Sequence, residues 1–116
     1  MSITEFFENN NFLFLEKKES QEFFGNYEIL YKKDGVVFIL SSERGQKFLE
    51  LKKENGNESI YISLLLNSDK FYSEKEIINS LANNYSKLIK KMNSLTDEDI
   101  HKLKVDSIKR RLKISI

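Results

Sequence analysis

The sequence predicts an α+β domain with a three- to four-stranded antiparallel meander, a short N-terminal helix and a C-terminal helical hairpin packed on one face of the sheet. Two observations indicate this fold. Apolar runs rich in β-branched and aromatic residues lie between Tyr27 and Leu51, separated by turn sequences that contain glycine. From Ser73 onward, apolar residues recur at helical spacing instead. The 116 residues make one domain, long enough to bury a core.

The meander rests on two turn signals. Asp34-Gly35 separates the apolar runs 27–31 and 36–40, and Asp-Gly suits a type I′ hairpin turn because both central residues adopt positive φ. Gly45 marks a second turn ahead of the run 48–51. The middle run is apolar at every position, whereas a strand with one wet face would alternate. We therefore expect a central strand that is covered on both faces.

The N-terminus predicts a short helix. Ser2-Ile3-Thr4-Glu5 fits a capping box, in which the Ser and Glu side chains satisfy exposed backbone donors. A helix over about residues 3–9 follows from this start. The run Asn9-Asn10-Asn11 is expected to end it, since Asn tolerates the left-handed conformation.

Three further stretches have less definite patterns. The run 12–15 is apolar without alternation, and so short a run is compatible with either a buried strand or a helical turn. Residues 16–26 predict a surface loop, pinned by Phe23 and Phe24. Residues 59–66 are either a fourth strand or a strand that runs into a helical turn.

Two helices are predicted in the C-terminal half. Ser73 and Glu76 form a second capping box. Behind it, one broad apolar stripe comprises Ile77, Ile78, Leu81, Ala82, Tyr85, Leu88, Ile89 and Met92. Thr96 caps the second helix, with the carboxylates of residues 97–99 at its positive end. The short link 93–95 predicts an antiparallel helix pair.

Few residues are suited to chemistry. The chain contains no Cys and one His, which excludes thiolate chemistry and an ordinary zinc site. His101 follows a helix start and is interpreted as a solvated or capping residue. The carboxylates of residues 97–99 lack calcium-loop spacing, and the glycines do not form a phosphate loop. We therefore predict that the protein is not an enzyme and needs neither a metal nor a cofactor.

Charge and hydropathy restrict the class of partner and the location. Nineteen basic and eighteen acidic residues give a net charge of +1, which argues against a protein built mainly to coat nucleic acid or membrane. No apolar run is long enough to span a bilayer. The N-terminus lacks the positive region of a signal peptide. These features predict a cytoplasmic protein without a membrane partner.

The C-terminal part is nevertheless basic. Nine basic and four acidic residues follow Tyr85, against ten and fourteen before Ser86. This asymmetry is typical of a nucleic-acid face or, as we favour, of the solvated side of two helices. The candidate nucleic-acid-binding residues are Lys102, Lys104, Lys109, Arg110, Arg111 and Lys113. No aromatic residue follows Tyr85, so bases would have to stack elsewhere.

One stretch carries a family resemblance. In residues 36–51 an apolar strand, the turn Glu43-Arg44-Gly45 and a second apolar strand follow one another. This order resembles small bacterial immunity proteins that accompany polymorphic or contact-dependent toxins. Residues 59–66 are similar to that family's passage into a helical C-terminal part. The resemblance implies a non-catalytic protein that binds and blocks a cognate toxin.

Candidate partner-binding residues come from two patterns and from the resemblance. Acidic residues in the first part of the chain would attract a basic partner if they share one surface. Tyrosines offer contact area at low entropy cost, although most tyrosines are simply half-buried. The candidates are Glu16, Glu19, Glu22, Tyr27, Tyr31, Glu43, Arg44 and Tyr61. A homodimeric interaction module is a third hypothesis, after toxin neutralisation and nucleic-acid binding.

Overall fold

In a computed structural model, which describes residues 1–19 and 25–115, the chain folds into a five-stranded antiparallel sheet with four helices. The strands pair in chain order: β1 Leu13–Glu19, β2 Tyr27–Lys33, β3 Val36–Glu43, β4 Gln46–Lys53 and β5 Ser59–Tyr61. The helices are α1 Ile3–Asn9, α2 Ile62–Leu65, α3 Glu74–Ser94 and α4 Asp97–Ser115. The α+β class and the antiparallel meander are confirmed, but the strand number is higher than predicted.

Both predicted hairpin turns are present, and both contain two residues. Asp34 and Gly35 have φ of 52° and 75°, and Arg44 and Gly45 have φ of 52° and 80°. Positive φ at both positions matches the type I′ turn, whose twist suits the flanking strands. The second turn comprises only Arg44 and Gly45, because β3 continues to Glu43 and β4 begins with Gln46.

The extra strands lie at the two edges of the sheet. The loop predicted over residues 16–26 is wrong for residues 16–19, which belong to β1, while Phe23 and Phe24 lie outside the described residues. All seven residues of β1 are exposed, so the strand has no apolar alternation to reveal it. At the other edge, residues 59–66 follow the second alternative, a strand that runs into a helical turn.

Helices α1 and α3 both begin with the predicted serine cap, but of the two predicted capping boxes only that of α3 is complete, since the Glu5 carboxylate accepts from the Ser2 hydroxyl instead of the backbone. The Ser2 hydroxyl accepts a hydrogen bond from the Glu5 backbone N–H at the start of α1. Asn11, just beyond this helix, has φ of 61°. The Ser73 and Glu76 side chains form the full reciprocal capping box of α3. Each of these caps satisfies backbone donors that a helix start leaves free.

The core lies between the helices and one face of the sheet. β3 is the central strand, and its residues Val36, Phe38 and Leu40 are fully buried. They share one apolar cluster with Ile3 and Phe7 of α1 and the inward side chains of α3, namely Ile77, Leu81, Leu88 and Met92. A stacked pair between Phe7 and Tyr31, 4.3 Å between ring centres, joins α1 to the sheet.

The opposite face of β3 is covered differently. Val37 is 7% exposed and Ile39 is half-buried, yet neither belongs to the core cluster. The cross-strand partners of Val37 are Lys32 and Lys52. We attribute the burial of Val37 to the alkyl chains of these lysines, since directly opposed side chains lie in contact and lysine stems cover apolar surface.

The two predicted C-terminal helices are present, and the main contacts of each are with other elements of the fold. α3 and α4 are consecutive and joined by a short link, but α3 packs chiefly on β4, α1 and α2, while α4 packs on α2 and β5. The apolar residues of α4 are unequally buried: Ile100 is buried, whereas Ile108 and Leu112 are 53% and 59% exposed. In the described part of the chain, none of the helices has the length and apolar character that crossing a membrane requires.

Candidate protein-binding surface

Four of the predicted partner-binding residues meet at one end of the sheet. Tyr27, the first residue of β2, pairs with Glu19 of β1 on one side and with Ser42 of β3 on the other. Glu43 and Arg44 follow Ser42 directly and form the tip of the β3–β4 hairpin. We call Glu19, Tyr27, Glu43 and Arg44 the turn-end surface.

Arg44 occupies an unusual backbone position. Its φ of 52° lies in the left-handed region, and its side chain is exposed. Among the described residues other than glycine, positive φ is otherwise confined to Asn11, Asp34 and Asn67. Asn and Asp tolerate this conformation, whereas other L-residues are destabilised there by about 1–2 kcal/mol. The tip of this hairpin therefore holds an arginine where Asn, Asp or Gly would be favoured.

Tyr27 forms the aromatic centre of the turn-end surface. The ammonium groups of Lys17 and Lys47 lie 4.9 Å and 5.1 Å from the centre of its ring, within the range of cation–π attraction. Lys17 also pairs with Glu19 at 2.8 Å, and this hydrogen bond raises the pKa of Lys17. A shallow cleft of about 350 Å³ lies beside the ring, lined in part by Asn26 and Glu43.

The other predicted partner-binding residues lie elsewhere. Tyr31 is 3% exposed in the core, where burial raises the pKa of its phenol and where a partner does not reach it. Glu16 lies midway along the exposed strand β1. Tyr61 lies in the far edge strand, with its ring centre 4.9 Å from that of Phe71. Glu22 lies outside the described residues.

Several basic side chains of α4 form hydrogen bonds within the protein. The Lys104 ammonium donates to the Glu58 carboxylate at 3.0 Å. Arg110 makes two bonds of 2.8 Å to Asp69, and Arg111 donates to the Ser107 hydroxyl at 3.3 Å. Lys102, Lys109 and Lys113 are exposed along the same helix. Lys104 and Arg110 therefore join α4 to other parts of the fold, Arg111 bonds within the helix, and the three remaining lysines face solvent.

Asp69 is the anion that joins this helix to the loop before α3. Besides its two bonds from Arg110, it accepts a hydrogen bond of 2.9 Å from the Ser107 hydroxyl. These bonds, that of Arg110 first, lower the pKa of Asp69 from its ordinary 3.8 to about 2. The same contact raises the pKa of Arg110.

A second surface was not singled out by sequence reasoning. Leu13, Phe14 and Leu15 at the start of β1 are 60%, 56% and 44% exposed. The apolar run was visible in the sequence, but its exposure depends on β1 being the outer strand of the sheet. An exposed strand edge with apolar side chains is a ready template for pairing with another chain.

The described residues offer little for chemistry. They contain no group of three His, Asp or Glu side chains placed to hold a metal ion. His101 is exposed, with its Nδ1 atom 3.8 Å from the nearest carboxylate oxygen of Glu58. A general base requires a nucleophile within hydrogen-bond reach, and the hydrogen bonds of the described side chains include none to this imidazole. No protein-family model, no curated protein and no solved structure matches the chain.

Proposed function

We propose that this protein is a non-catalytic immunity protein, which neutralises a cognate bacterial toxin by binding it directly through the turn-end surface. The resemblance found in residues 36–51 supports this proposal, because its turn Glu43-Arg44-Gly45 is the tip of that surface. Exposed acidic and basic side chains around the half-buried ring of Tyr27 suit recognition of another protein.

The backbone of Arg44 carries the proposal. Strained conformations persist where the surrounding structure imposes them, and they concentrate at binding and catalytic sites. Arginine is enriched among the residues that dominate binding energy, since its guanidinium forms paired hydrogen bonds with a carboxylate. An arginine in the left-handed position at an exposed tip gives up stability to present this group. The partner would place a carboxylate against Arg44 and basic side chains near Glu19 and Glu43.

Growth rescue tests the function. Each gene that neighbours this one in the host genome is expressed from an inducible promoter in a test bacterium, with and without this protein. We expect one of these genes to arrest growth and co-expression of the wild-type chain to relieve the arrest. In a binding measurement with the purified toxin domain, Arg44→Asn keeps the type I′ turn and weakens the affinity by about tenfold or more.

A matched variant controls for the turn itself. Asp34→Asn changes the equivalent position of the other type I′ turn, at the opposite end of the sheet, and should leave toxin binding unchanged. If every neighbouring gene is harmless, or if the toxic product is not bound by the wild-type protein, the proposed function is wrong. Equal loss of binding in both variants would mean that the toxin is not bound specifically through the turn-end surface.

Nucleic-acid binding through α4 is the alternative function. The exposed residues Lys102, Lys109 and Lys113 favour it, whereas the bonds of Lys104 and Arg110 to carboxylates weigh against it. Binding carried by phosphate contacts weakens steeply with salt. A salt titration with a labelled DNA duplex decides this alternative, and absence of binding at low salt rejects it.

A further inference from the structure

Among the described residues, none pairs with the outer edge of β1. β1 pairs with β2 on one side only, and each of its seven residues is exposed. The other edge strand, β5, has only three residues and lies against α4. Proteins usually protect a long strand edge by shortening or covering it, or with charges and bulges, because an open edge pairs with other strands.

A bulge divides β1 into two parts. The register with β2 shifts between Phe14 and Glu16, so that Leu15 is the extra residue. A bulge bends the strand and interrupts regular pairing. The remaining segment, Glu16–Glu19, keeps an unbroken register with β2 and is the regular part of the edge.

The charges of this segment are divided between the two faces of the sheet. Glu16 and Lys18 pair with Leu30 and Glu28 of β2, on the face away from the core cluster. Lys17 and Glu19 project to the other face, where their charged groups meet at 2.8 Å. Each face of the segment therefore carries one acid and one base.

We propose that two copies of this chain pair through β1, antiparallel and centred on Lys17, to form one continuous ten-stranded sheet. In this register Glu16 of each copy lies directly opposite Lys18 of the other, on the same face. The interface then contains two cross-strand ion pairs, which follow from the two-fold symmetry of a dimer with identical contact surfaces.

The second face is also compatible with this register. The two Lys17 side chains oppose each other, but each is already paired with Glu19 of its own chain. Glu19 also lies diagonal to Lys17 of the second copy, within reach of a long side chain. The four charges alternate in sign and cancel.

Charge complementarity identifies the second copy as the occupant of this edge. The same four residues supply both sides of the contact, so no other chain is needed to balance them. Arg44 lies at the β3–β4 turn, away from the outer edge, and remains accessible in each copy. Glu19 belongs to both surfaces, whereas Glu16 and Lys18 lie outside the turn-end surface. Variants at Glu16 and Lys18 therefore separate a failure of dimerisation from a failure of toxin binding.

Sedimentation of charge-swapped variants tests the dimer. For the wild-type chain we expect the average mass to rise with concentration from 13.7 kDa toward twice that value. Glu16→Lys and Lys18→Glu each place two like-charged pairs across the interface, and each should weaken dimerisation by about tenfold or more. An equimolar mixture of these two variants restores opposite charges at both positions, so the mixture should dimerise although neither variant does alone. The double swap in one chain should also restore the dimer.

Several results would overturn the proposal. If the wild-type chain stays monomeric at all concentrations, two copies do not pair through β1 and the proposal is wrong. Single variants that dimerise like the wild type would place the contact elsewhere, and a mixture that stays monomeric would reject this register. Lys18 lies opposite Glu28 in its own sheet, so thermal melts of each variant accompany the sedimentation and separate lost pairing from lost folding.

Discussion

The side-chain carbonyl oxygen of Asn26 accepts a 2.9 Å hydrogen bond from the backbone N–H of Arg44, and this bond joins the start of β2 to the tip of the β3–β4 hairpin. It orients the peptide of a residue whose own φ is unfavourable. The conformation of the tip is thus imposed by a neighbouring strand as well as by the glycine that follows Arg44.

Asn26→Ala should loosen this tip. The backbone N–H of Arg44 then loses its acceptor, and a typical hydrogen bond contributes about 0.5–1.5 kcal/mol to the free energy of unfolding. We expect faster hydrogen exchange at the Arg44 amide and an unchanged rate at the Gly35 amide in the other hairpin turn. Equal exchange rates at the Arg44 amide in the variant and the wild type would mean that the turn keeps its conformation without the bond to Asn26.

Arg44→Asn should raise the free energy of unfolding, by about 1 kcal/mol, because Asn tolerates the left-handed conformation that arginine adopts here under strain. Urea unfolding of the wild type and the variant measures the difference. Asp34→Asn is the comparison: Asp already suits its position in a type I′ turn, and the substitution also weakens the bond from the Tyr85 hydroxyl, so no gain in stability is expected. A loss of stability in Arg44→Asn would contradict the strain on which the proposed function depends.

The hairpins and the long helices were predictable because their signals are local. Asp34-Gly35 and Gly45 specify turns through their own backbone preferences, and Ser73 with Glu76 forms its capping box within four residues. The central strand β3 was predictable because it is apolar at five consecutive positions, Val36 to Leu40, although only one of its faces packs in the core cluster.

The elements at the margins were not predictable in this way. β1 requires only backbone pairing with β2 and carries charged residues, so its sequence resembles a surface loop. The strain at Arg44 appears only when the second turn is known to have two residues. Which basic side chains of α4 are paired depends on Glu58 and Asp69, and these two residues are distant from their partners in sequence.

Asp97 makes contacts that its position at the start of α4 did not predict. The backbone N–H groups of Thr96 and Asp99 bond reciprocally with the side chains of these two residues, as a capping pair does. The Asp97 carboxylate instead accepts hydrogen bonds from the backbone N–H groups of Asn57, at 3.1 Å, and Glu58, at 3.3 Å. It therefore ties the β4–β5 turn to the start of α4.

Asp97→Ala should lower the free energy of unfolding by about 1–2 kcal/mol, because it removes the charged acceptor of two backbone donors. Glu98→Ala, in the same turn of the same helix, should change it by less than about 0.5 kcal/mol, as exposed substitutions away from such contacts do. Chemical unfolding of both variants provides the comparison. Equal effects would mean that Asp97 acts only through its charge at the helix start.

Tyr85 provides a similar link between α3 and the first hairpin. Its hydroxyl donates a 2.6 Å hydrogen bond to the carboxylate of Asp34, and burial together with this bond raises the pKa of the phenol. Tyr85→Phe keeps the ring, which stacks near Phe38, and removes only the hydroxyl. We expect a loss of about 0.5–1.5 kcal/mol in the free energy of unfolding. The same loss should not appear in a background that already carries Asp34→Ala.

The docking of α4 through Asp69 should be sensitive to acid. The folded-state pKa of Asp69, about 2, is below its ordinary 3.8, so the unfolded chain takes up a proton at Asp69 before the folded chain does. The stabilisation is complete above the ordinary value and declines as the pH falls toward the folded-state value. Asp69→Asn removes the charge that Arg110 and Ser107 contact. Between about pH 4 and pH 2, the melting temperature of this variant should therefore fall less than that of the wild type.

Melting curves across this pH range provide the test, with Glu98→Gln at the start of the same helix as the control. The carboxyl pKa values of Glu76 and Asp99 are also lowered by their capping bonds, and these caps remain in both variants, so they contribute equally to each curve. The difference between the wild type and Asp69→Asn therefore isolates the contact with Arg110. Parallel curves for these two proteins would mean that this ion pair does not hold α4 in place, and the cations of the helix would then be available to another partner.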